Sequence, residues 1–295
     1  MTAALGGCGT PKPILDGDKC LAHVRKLVEI GPRPSNSPGA EKARAYIAAQ
    51  LEAAGHKSTE DRFAAQTVRG IVPMVNVRCE IDGESPKVVA LVTHYDTKRF
   101  ADFVFVGAND GGSGVGVLLE IAHYFGKGRP KPPVTLRLLF VDGEETQWSV
   151  QWNDQDSLHG SRAEVERLQR EKKLASLAAV LVLDMVGDKD LDILRVSDAT
   201  PALSSWLEEA AKEVGSPEKF FQRIEAITDD HQPFLAAQVP EVANLIDFRY
   251  GPSGPTGGKY WHTAEDTLDK LSAESLRLVG DVVIRVLPKI AERMR

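Results

Sequence analysis

The first sixty residues contain two stretches in which apolar positions recur every three or four residues. In the first stretch, Leu21, Val24 and Leu27 fall on one face before a Gly-Pro pair ends the pattern. The second stretch begins at a Ser-Pro pair with Ser37 and closes at Gly55. Serine before a helix and proline in its first turn are favoured N-terminal residues. The spacing therefore predicts two amphipathic helices ahead of the first strand.

From residue 71 onward, short β-branched runs alternate with helical stretches. Strands are predicted over residues 71–81, 87–93, 134–141, 177–183 and 242–246. Helices are predicted over residues 112–126, 161–173, 202–214 and 272–294. Nearly continuous apolar strands separated by helices are typical of a largely parallel sheet that is covered on both faces. The first run differs, because Pro73 and the polar Asn76 and Arg78 favour an edge strand.

These elements predict one α/β domain over residues 16–295, with a mixed, mostly parallel central sheet and helices on both faces. A hydrophobic content of 42% and a charged content of 26% indicate a globular chain and exclude intrinsic disorder. The length would also accommodate two domains. We see no repeat and no Pro/Gly/Ser-rich linker inside this range, so a single domain is the simpler interpretation.

The charge balance restricts the partners that the protein can attract. There are 36 Lys and Arg residues against 42 Asp and Glu residues, which gives a net charge of −6. A mild acidic excess offers no general attraction for nucleic acid or acidic membranes, so neither is expected as a partner. The longest uncharged apolar stretch, residues 174–183, is much shorter than the roughly 18 residues typical of a membrane-spanning helix. No transmembrane segment is therefore expected.

The N-terminal segment allows two interpretations. Residues 1–15 have prolines and glycines but no periodicity, which predicts a tether ahead of the folded domain. The string Leu5-Gly6-Gly7-Cys8 resembles the lipobox at which bacterial lipoproteins are cleaved and lipidated, although the charged and apolar segments that normally precede it are missing. Either the recorded start lies inside a signal sequence, and the protein is secreted or anchored by a lipid at Cys8 in the periplasm, or the match is accidental and the protein is cytoplasmic.

The cysteines limit the kinds of metal site that are possible. Cys8, Cys20 and Cys79 are the three cysteines of the chain. They are too few and too scattered for a disulfide framework or a thiolate metal site. Any metal would therefore be bound by histidine and carboxylate side chains.

Acidic and imidazole side chains follow the apolar strands directly. In an open α/β sheet, the ligand crevice lies outside the carboxyl ends of the strands. The residues at these positions are His94, Asp96, Asp110, Glu144, Glu145, Asp184 and His262. Each one alone is more simply a turn or cap residue. Carboxylates that converge in one crevice repel each other unless a cation neutralises them, so the set as a whole predicts a metal site.

Zinc is the metal that this donor set fits. A catalytic Zn²⁺ takes about three protein ligands and leaves one position for water or substrate. Glu144 and Glu145 are adjacent in the chain, so their side chains point in different directions. One of the two can bind the metal while the other acts as general acid and base.

Several strings resemble those of glutaminyl-peptide cyclotransferases, which belong to the wider group of zinc aminopeptidases with the same fold. In chain order they are His94-Tyr95-Asp96-Thr97-Lys98, the Asp110 loop, Asp142-Gly143-Glu144-Glu145, Asp156-Ser157-Leu158-His159-Gly160-Ser161-Arg162, Thr228-Asp229-Asp230-His231-Gln232-Pro233-Phe234 and Trp261-His262-Thr263. The resemblance covers roughly residues 20–295. The Asp156 string and the Asp229 string are the more specific ones, because the others occur across the aminopeptidase group.

The resemblance implies a role for each matching residue. The implied ligands of a single catalytic zinc are Asp110, Glu145 and His262. Glu144 is implied as the proton-transferring carboxylate, with Asp184 and Asp229 in an acidic network beside it. The implied borders of the substrate pocket are Trp152, Trp261 and Ile227. Trp148 competes with Trp152, because the chain has extra residues between Glu145 and that tryptophan.

The implied reaction converts an N-terminal glutamine of a peptide to pyroglutamate with release of ammonia. The alternative enzyme is a zinc aminopeptidase, for which His94 and Asp184 would supply additional ligands to a second metal ion. Trp261, directly before His262, favours the cyclotransferase, because that reaction needs water kept away from the substrate carbonyl. A third possibility is a metal-free binding protein that keeps the fold but has lost turnover.

Overall fold

The structure is a computed structural model that describes residues 12–148, 151–252 and 257–293. Cys8 and the lipobox-like string lie outside the described residues. The strands are β1 (Ser58–Thr67), β2 (Gly70–Ile81), β3 (Ser85–His94), β4 (Val134–Val141), β5 (Leu177–Asp184), β6 (Ile193–Val196), β7 (Phe220–Glu225) and β8 (Glu241–Ile246). The helices are α1 (Gly17–Ile30), α2 (Pro38–Ala53), α3 (Ser113–Tyr124), α4 (His159–Arg170), α5 (Pro201–Glu213), α6 (His231–Ala236) and α7 (Ala273–Arg293).

The strands form one mixed sheet in the order β1-β2-β4-β3-β5-β8-β6-β7. The neighbours β4, β3, β5 and β8 in the middle of the sheet are parallel. Antiparallel pairs flank them, with β2 on β4 and β6 on β8. The prediction of a mixed, mostly parallel sheet is therefore confirmed, and the central strands all present their carboxyl ends at the same edge.

Helices cover both faces of the sheet, as the sequence predicts. The larger apolar cluster joins one face to α1, α2, α3, α5 and α7. The smaller cluster joins the other face to α4, through Val165 and Leu168, and to α6, through Phe234. Full burial of an aliphatic or aromatic side chain of this size stabilises the fold by about 1.5–3 kcal/mol. Burial of the apolar helix faces is therefore what holds both layers on the sheet.

The prediction of an edge strand at residues 71–81 is wrong, because β1 pairs with β2 on its outer side. β1 was not predicted from the sequence because it is a polar strand whose residues are mostly exposed or half-buried. Pro73 fits inside β2 because the pairing with β4 begins only at Val77, so the first half of β2 has a neighbour on one side. The short elements β6, β7 and α6 were also not predicted from the sequence.

The end of the segment that we predicted as a tether is packed against the domain. Leu15 lies in the apolar core. Its backbone N–H and that of Ile14 both donate to the carboxylate of Asp281 in α7, and the Leu15 bond measures 2.8 Å. Among the described residues, no helix combines the length and the apolar character that crossing a membrane requires.

Arg33 fixes the loop that follows β3. Its guanidinium is fully buried. It donates to the carbonyl oxygens of Tyr95 at 3.0 Å, Val106 at 2.7 Å and Gly107 at 2.9 Å. Buried carbonyl groups need a hydrogen-bond donor, and a planar group with five N–H donors satisfies several of them together. Arg33 therefore fixes the loop that leads to Asp110 at three of its carbonyl groups.

We expect Arg33→Lys to lower the free energy of unfolding by about 3–5 kcal/mol, because a buried hydrogen-bonded charge loses most of its partners. Lysine keeps the positive charge but offers a point charge in place of the planar fork. Urea unfolding followed by circular dichroism measures the change. Arg25, which is exposed on α1, provides the matched control Arg25→Lys. Equal unfolding midpoints for both variants would contradict the assigned role.

Candidate active site

The fold brings together side chains that are far apart in the sequence. β3 ends at His94 and β5 ends at Asp184, while Glu144 follows β4 directly. Asp110 precedes α3, and the first turn of that helix lies against the ends of β3 and β5. Gly114 permits this close approach, because a Cβ atom there would lie 2.2 Å from Thr93 Oγ1.

Two clusters of metal-binding side chains share Asp110. In the first cluster, Nε2 of His262 lies 3.2 Å from Asp110 Oδ2 and 3.0 Å from Glu145 Oε1. In the second cluster, Nε2 of His94 lies 3.3 Å from Asp110 Oδ1 and 3.1 Å from Asp184 Oδ1. Within each cluster the candidate ligand atoms lie within 4.8 Å of one another. Asp110 therefore directs one oxygen toward each cluster.

The residues present fit a divalent metal ion. Oxygen and imidazole donors form the ligand set of many catalytic zinc sites. Asp110 Oδ2 is buried and accepts no hydrogen bond from any described residue, although His262 is close. Burial lowers the pKa of His262, but Glu145 and Asp110 raise it overall to about 9. The carboxylates of this cluster thus attract positive charge.

Glu144 lies beside both clusters, and the pKa of its carboxyl group is raised, whereas that of Glu145 is lowered. Burial raises the pKa of the Glu144 carboxyl well above the usual range, and although His94 lowers it, the neighbouring Glu145 and Asp229 raise it further. The backbone N–H groups of Glu144 and Glu145 donate to the carboxylate of Asp96, at 3.2 Å and 3.4 Å. Asp96 therefore holds the backbone of the two glutamates in place, and the burial of Glu144 favours the protonated form of its carboxyl group.

Further carboxyl groups line the same cavity as Glu144. Burial raises the pKa of Asp184 to about 7, with His94 opposing and Asp229 adding to the shift. The carboxylate of Asp229 accepts a hydrogen bond of 2.6 Å from Nδ2 of Asn244 on β8. The acidic residues that the sequence analysis placed beside Glu144 are therefore gathered around one cavity.

The cavity has a volume of about 260 Å³, and its walls are largely aromatic and apolar. Its apolar lining includes Trp152, Ile227, Phe248 and Trp261. The ring of Trp261 stacks on that of His262, with ring centres 3.9 Å apart and an angle of 21° between the planes. One flat wall of the cavity is thus packed directly on a candidate metal ligand.

Of the two tryptophans that compete for the pocket, it is Trp152 that lines the cavity. Trp148 instead donates from Nε1 to Thr67 Oγ1 at 3.1 Å, and the guanidinium of Arg69 lies 5.1 Å from its ring centre. These contacts attach the loop after β4 to the hairpin of β1 and β2.

Three further residues, which were not predicted from the sequence, support the site. Asp266 accepts hydrogen bonds from the backbone N–H groups of Asn109 and Asp110, at 2.8 Å and 3.2 Å, and from the hydroxyl of Tyr250 at 2.8 Å. Lys98 contacts Glu145, and Phe248 packs on Trp261 with ring centres 5.1 Å apart. The signal available for Lys98 was its place in the string His94-Tyr95-Asp96-Thr97-Lys98 directly after a buried strand.

Lys98 is the buried cation nearest the first cluster. Only 3% of its surface is exposed. Its ammonium lies 3.3 Å from Glu145 Oε2 and donates to the hydroxyl of Thr146. The other oxygen of Glu145 faces His262. Lys98 therefore orients the Glu145 carboxylate so that its other oxygen is directed at His262.

We expect Lys98→Met to weaken zinc binding by about 10–100-fold, the usual loss when a residue that orients a metal ligand is removed. Competition with a chromogenic chelator measures the dissociation constant. Lys131, which is exposed, provides the control Lys131→Met. Unchanged affinity in Lys98→Met would show that Glu145 is positioned without this contact.

Comparison with known proteins gives matches over most of the chain. The model of peptidase family M28 matches residues 76–287. The glutaminyl-peptide cyclotransferase-like protein of Bos taurus is 30% identical over 271 residues, which cover 83% of this chain and 68% of that protein.

Solved structures give matches of the same kind. The glutaminyl cyclase of an Acidobacteriales bacterium superimposes with a TM-score of 0.89 at 36% identity, over 99% of this chain and all of that one. A Zn-dependent exopeptidase from Parabacteroides distasonis superimposes with a TM-score of 0.83 at 26% identity, over 95% of this chain and 99% of that one.

Proposed function

This chain belongs to peptidase family M28, and we propose that it acts as a zinc-dependent glutaminyl-peptide cyclotransferase. It would convert the N-terminal glutamine of a peptide to pyroglutamate and release ammonia. The observation that carries the proposal is the stacking of Trp261 on His262 at the wall of the cavity that contains Glu144. The matches to the glutaminyl-peptide cyclotransferase-like protein of Bos taurus and to the glutaminyl cyclase of an Acidobacteriales bacterium support it.

Asp110, Glu145 and His262 would bind the zinc ion. Their oxygen and imidazole atoms converge, and Lys98 holds the second oxygen of Glu145. When bound, zinc supplies a Lewis acid for the γ-carboxamide oxygen of the substrate glutamine. The ligand residues thus fix the place where the reacting carbonyl group is bound.

Glu144 would move the proton during ring closure. Its carboxylate accepts a proton from the substrate α-amine as the nitrogen bonds to the carbonyl carbon of the γ-carboxamide, and it returns that proton to the departing amide nitrogen, whose bond to this carbon breaks and which leaves as ammonia. A carboxyl group whose pKa is raised by burial can both accept and return a proton. Asp184 and Asp229 line the same cavity. The negative charge of Asp229 would help to keep the pKa of Glu144 raised.

Trp152, Trp261 and Ile227 would hold the glutamine side chain folded over its own amine. Flat aromatic walls restrict its rotation, and orientation of two reacting groups contributes strongly to rate. The same walls limit the space for water, which would otherwise hydrolyse the amide. A small aromatic cavity is therefore better suited to cyclisation than to hydrolysis.

The second candidate function is a dinuclear zinc aminopeptidase. The cluster of His94, Asp110 and Asp184 favours it, because a second ion there would share Asp110 with the first. The exopeptidase match from Parabacteroides distasonis is consistent with this alternative. A peptidase needs a metal-activated water as nucleophile, whereas the cyclase uses the substrate amine.

The decisive experiment incubates the purified protein with a glutamine-initiated dipeptide and, in parallel, with an aminoacyl chromogenic amide. Ammonia release from the first without cleavage of the second is the expected result. Cleavage of the amide alone would reject the cyclase in favour of the aminopeptidase. A preparation with neither zinc nor turnover would favour the third possibility, a binding protein.

Export or lipid anchoring at Cys8 remains a proposal about residues outside those described. Expression of the chain with its genomic upstream sequence, followed by cell fractionation, tests it. A Cys8→Ser variant should shift the protein from the membrane fraction to the soluble fraction. An identical distribution of both forms would show that the lipobox-like string has no function.

A further inference from the structure

A groove between α4 and α6 continues the catalytic cavity. Its volume is about 490 Å³. Thr228 lines both the cavity and the groove. Asp154 lines the groove and accepts a hydrogen bond from Nε1 of Trp152, which lines the cavity. Thr228 therefore lies at the boundary between the cavity and the groove.

The floor of the groove is apolar and firmly packed. Leu158 and Val165 are buried beneath it. Val165 packs in the apolar cluster that also contains Phe234 of α6. Pro233 and Ala237 form the side that belongs to α6 and the residue after it, and both are partly exposed. The groove thus has an apolar floor, and the rest of its lining is largely polar and includes the carboxylates of Asp154 and Glu166.

One wall carries a cation without a protein partner. Arg162 on α4 is exposed, and its guanidinium forms no hydrogen bond or ion pair with the residues in the described ranges. The contrast is Arg167 on the same helix, which binds Glu164 at 2.7 Å and Glu171 at 3.0 Å. Arg162 is therefore available to a carboxylate that enters the groove.

The catalytic cavity accommodates only the start of a peptide. Its volume of about 260 Å³ is below the roughly 300–1,000 Å³ of typical ligand pockets. An extended chain advances about 3.3–3.6 Å per residue, so the residues after the first must leave the cavity.

We propose that the residues that follow the N-terminal glutamine of the substrate bind in this groove. An apolar side chain lies against Val165 and Ala237, and Arg162 binds a carboxylate, supplied by an acidic side chain or by the C-terminus of a short peptide. This inference rests on the proposed function. It makes the groove the determinant of which glutamine peptides are preferred substrates.

The first test compares three peptide amides, namely Gln-Ala, Gln-Ala-Leu-Leu and Gln-Ala-Ser-Ser. We expect kcat/KM for the leucine peptide to exceed that for the dipeptide about tenfold, and the serine peptide to gain little. Equal values for the three peptides would overturn the proposal.

A second test fills the groove. Ala236 is exposed on α6 and lines the groove, whereas Ala49 is exposed on α2, far from it in the fold. Ala236→Phe should abolish the gain from the leucine residues and leave kcat/KM for the dipeptide amide within about twofold. Ala49→Phe should change neither value. A gain that survives in Ala236→Phe would place the peptide elsewhere.

A third test examines Arg162 with two carboxylate sources. Gln-Ala-Leu-Glu amide carries the carboxylate on a side chain, and Gln-Ala-Leu-Leu acid carries it at the C-terminus. At least one of them should be preferred about fivefold over Gln-Ala-Leu-Leu amide, and Arg162→Gln should remove that preference. Arg170→Gln, at an exposed position of the same helix, is the control. A preference unchanged in Arg162→Gln would overturn the role of Arg162.

A binding measurement separates failure of this inference from failure of the proposed function. Calorimetry compares the amides pyroglutamyl-Ala and pyroglutamyl-Ala-Leu-Leu on the wild type and on Ala236→Phe. Absence of ammonia release from Gln-Ala amide rejects the cyclase, and the calorimetry still decides the groove. Tighter binding of the longer peptide, lost in Ala236→Phe, is the expected result. Equal binding of the two peptides would overturn the groove proposal.

Discussion

Glu144→Gln is expected to lower kcat for a glutamine dipeptide by about 10²–10⁴-fold, the usual contribution of a positioned general acid and base. Glutamine has nearly the same shape as glutamate but cannot accept and return the proton. The backbone bond from residue 144 to Asp96 does not depend on the side chain. Zinc content should therefore stay at the wild-type value while turnover is lost.

The measurement combines steady-state ammonia release with metal analysis of the same preparation. Glu52, exposed on α2, provides the control Glu52→Gln, which should behave as the wild type. Full activity in Glu144→Gln would show that another group moves the proton. Loss of zinc together with activity would instead place Glu144 among the metal ligands.

Glu145→Ala is expected to lose both zinc and turnover. The change removes a candidate ligand next to His262 and also leaves the Lys98 ammonium without its carboxylate partner. An unpaired buried charge is unfavourable. The Lys98 ammonium, left without its partner, should therefore weaken the binding of a metal cation further. Residual kcat/KM should fall to about 10⁻³ of the wild-type value or less, because both metal and charge balance are lost. Retention of stoichiometric zinc would contradict the ligand assignment.

The number of metal ions can be read from a pair of variants measured by metal analysis. With a single zinc in the first cluster, His262→Ala should lose the metal and His94→Ala should retain it. With two ions, each variant should lose one equivalent. Asp110→Asn should reduce metal content in both cases, because Asp110 directs one oxygen to each cluster.

Different roles for Glu144 and Glu145 could be predicted from the sequence. Adjacent glutamates after an apolar strand predict two different tasks, because neighbouring side chains diverge. In the structure, Glu145 contacts His262, and Glu144 lines the same cavity as Asp184. The proton-transfer and metal-binding roles themselves remain predictions until the variants are measured.

Elements that have no recognisable short-range pattern were not predicted from the sequence. β1 is polar and largely exposed, and it exists because the turn before Gly70 folds it back on β2. The helix α6 has only six residues and contains Pro233, so it has too few turns for a recognisable periodicity. Both gain their stability from contacts with other elements rather than from their own sequence.

The amino-acid sequence by itself determined the parallel centre of the sheet, its helical layers and the set of acidic and imidazole residues at the strand ends. These features follow from local patterns, namely the apolar runs of the central strands, the periodicity of the longer helices and the polar residues directly after the strands. The tertiary structure alone decided that Asp110 is shared by two histidines, that Lys98 is buried beside Glu145 and that a groove leaves the cavity at Thr228. Each of these depends on distances of a few ångströms between groups far apart in the chain, and such distances are set by how loops and helices pack, not by any local pattern.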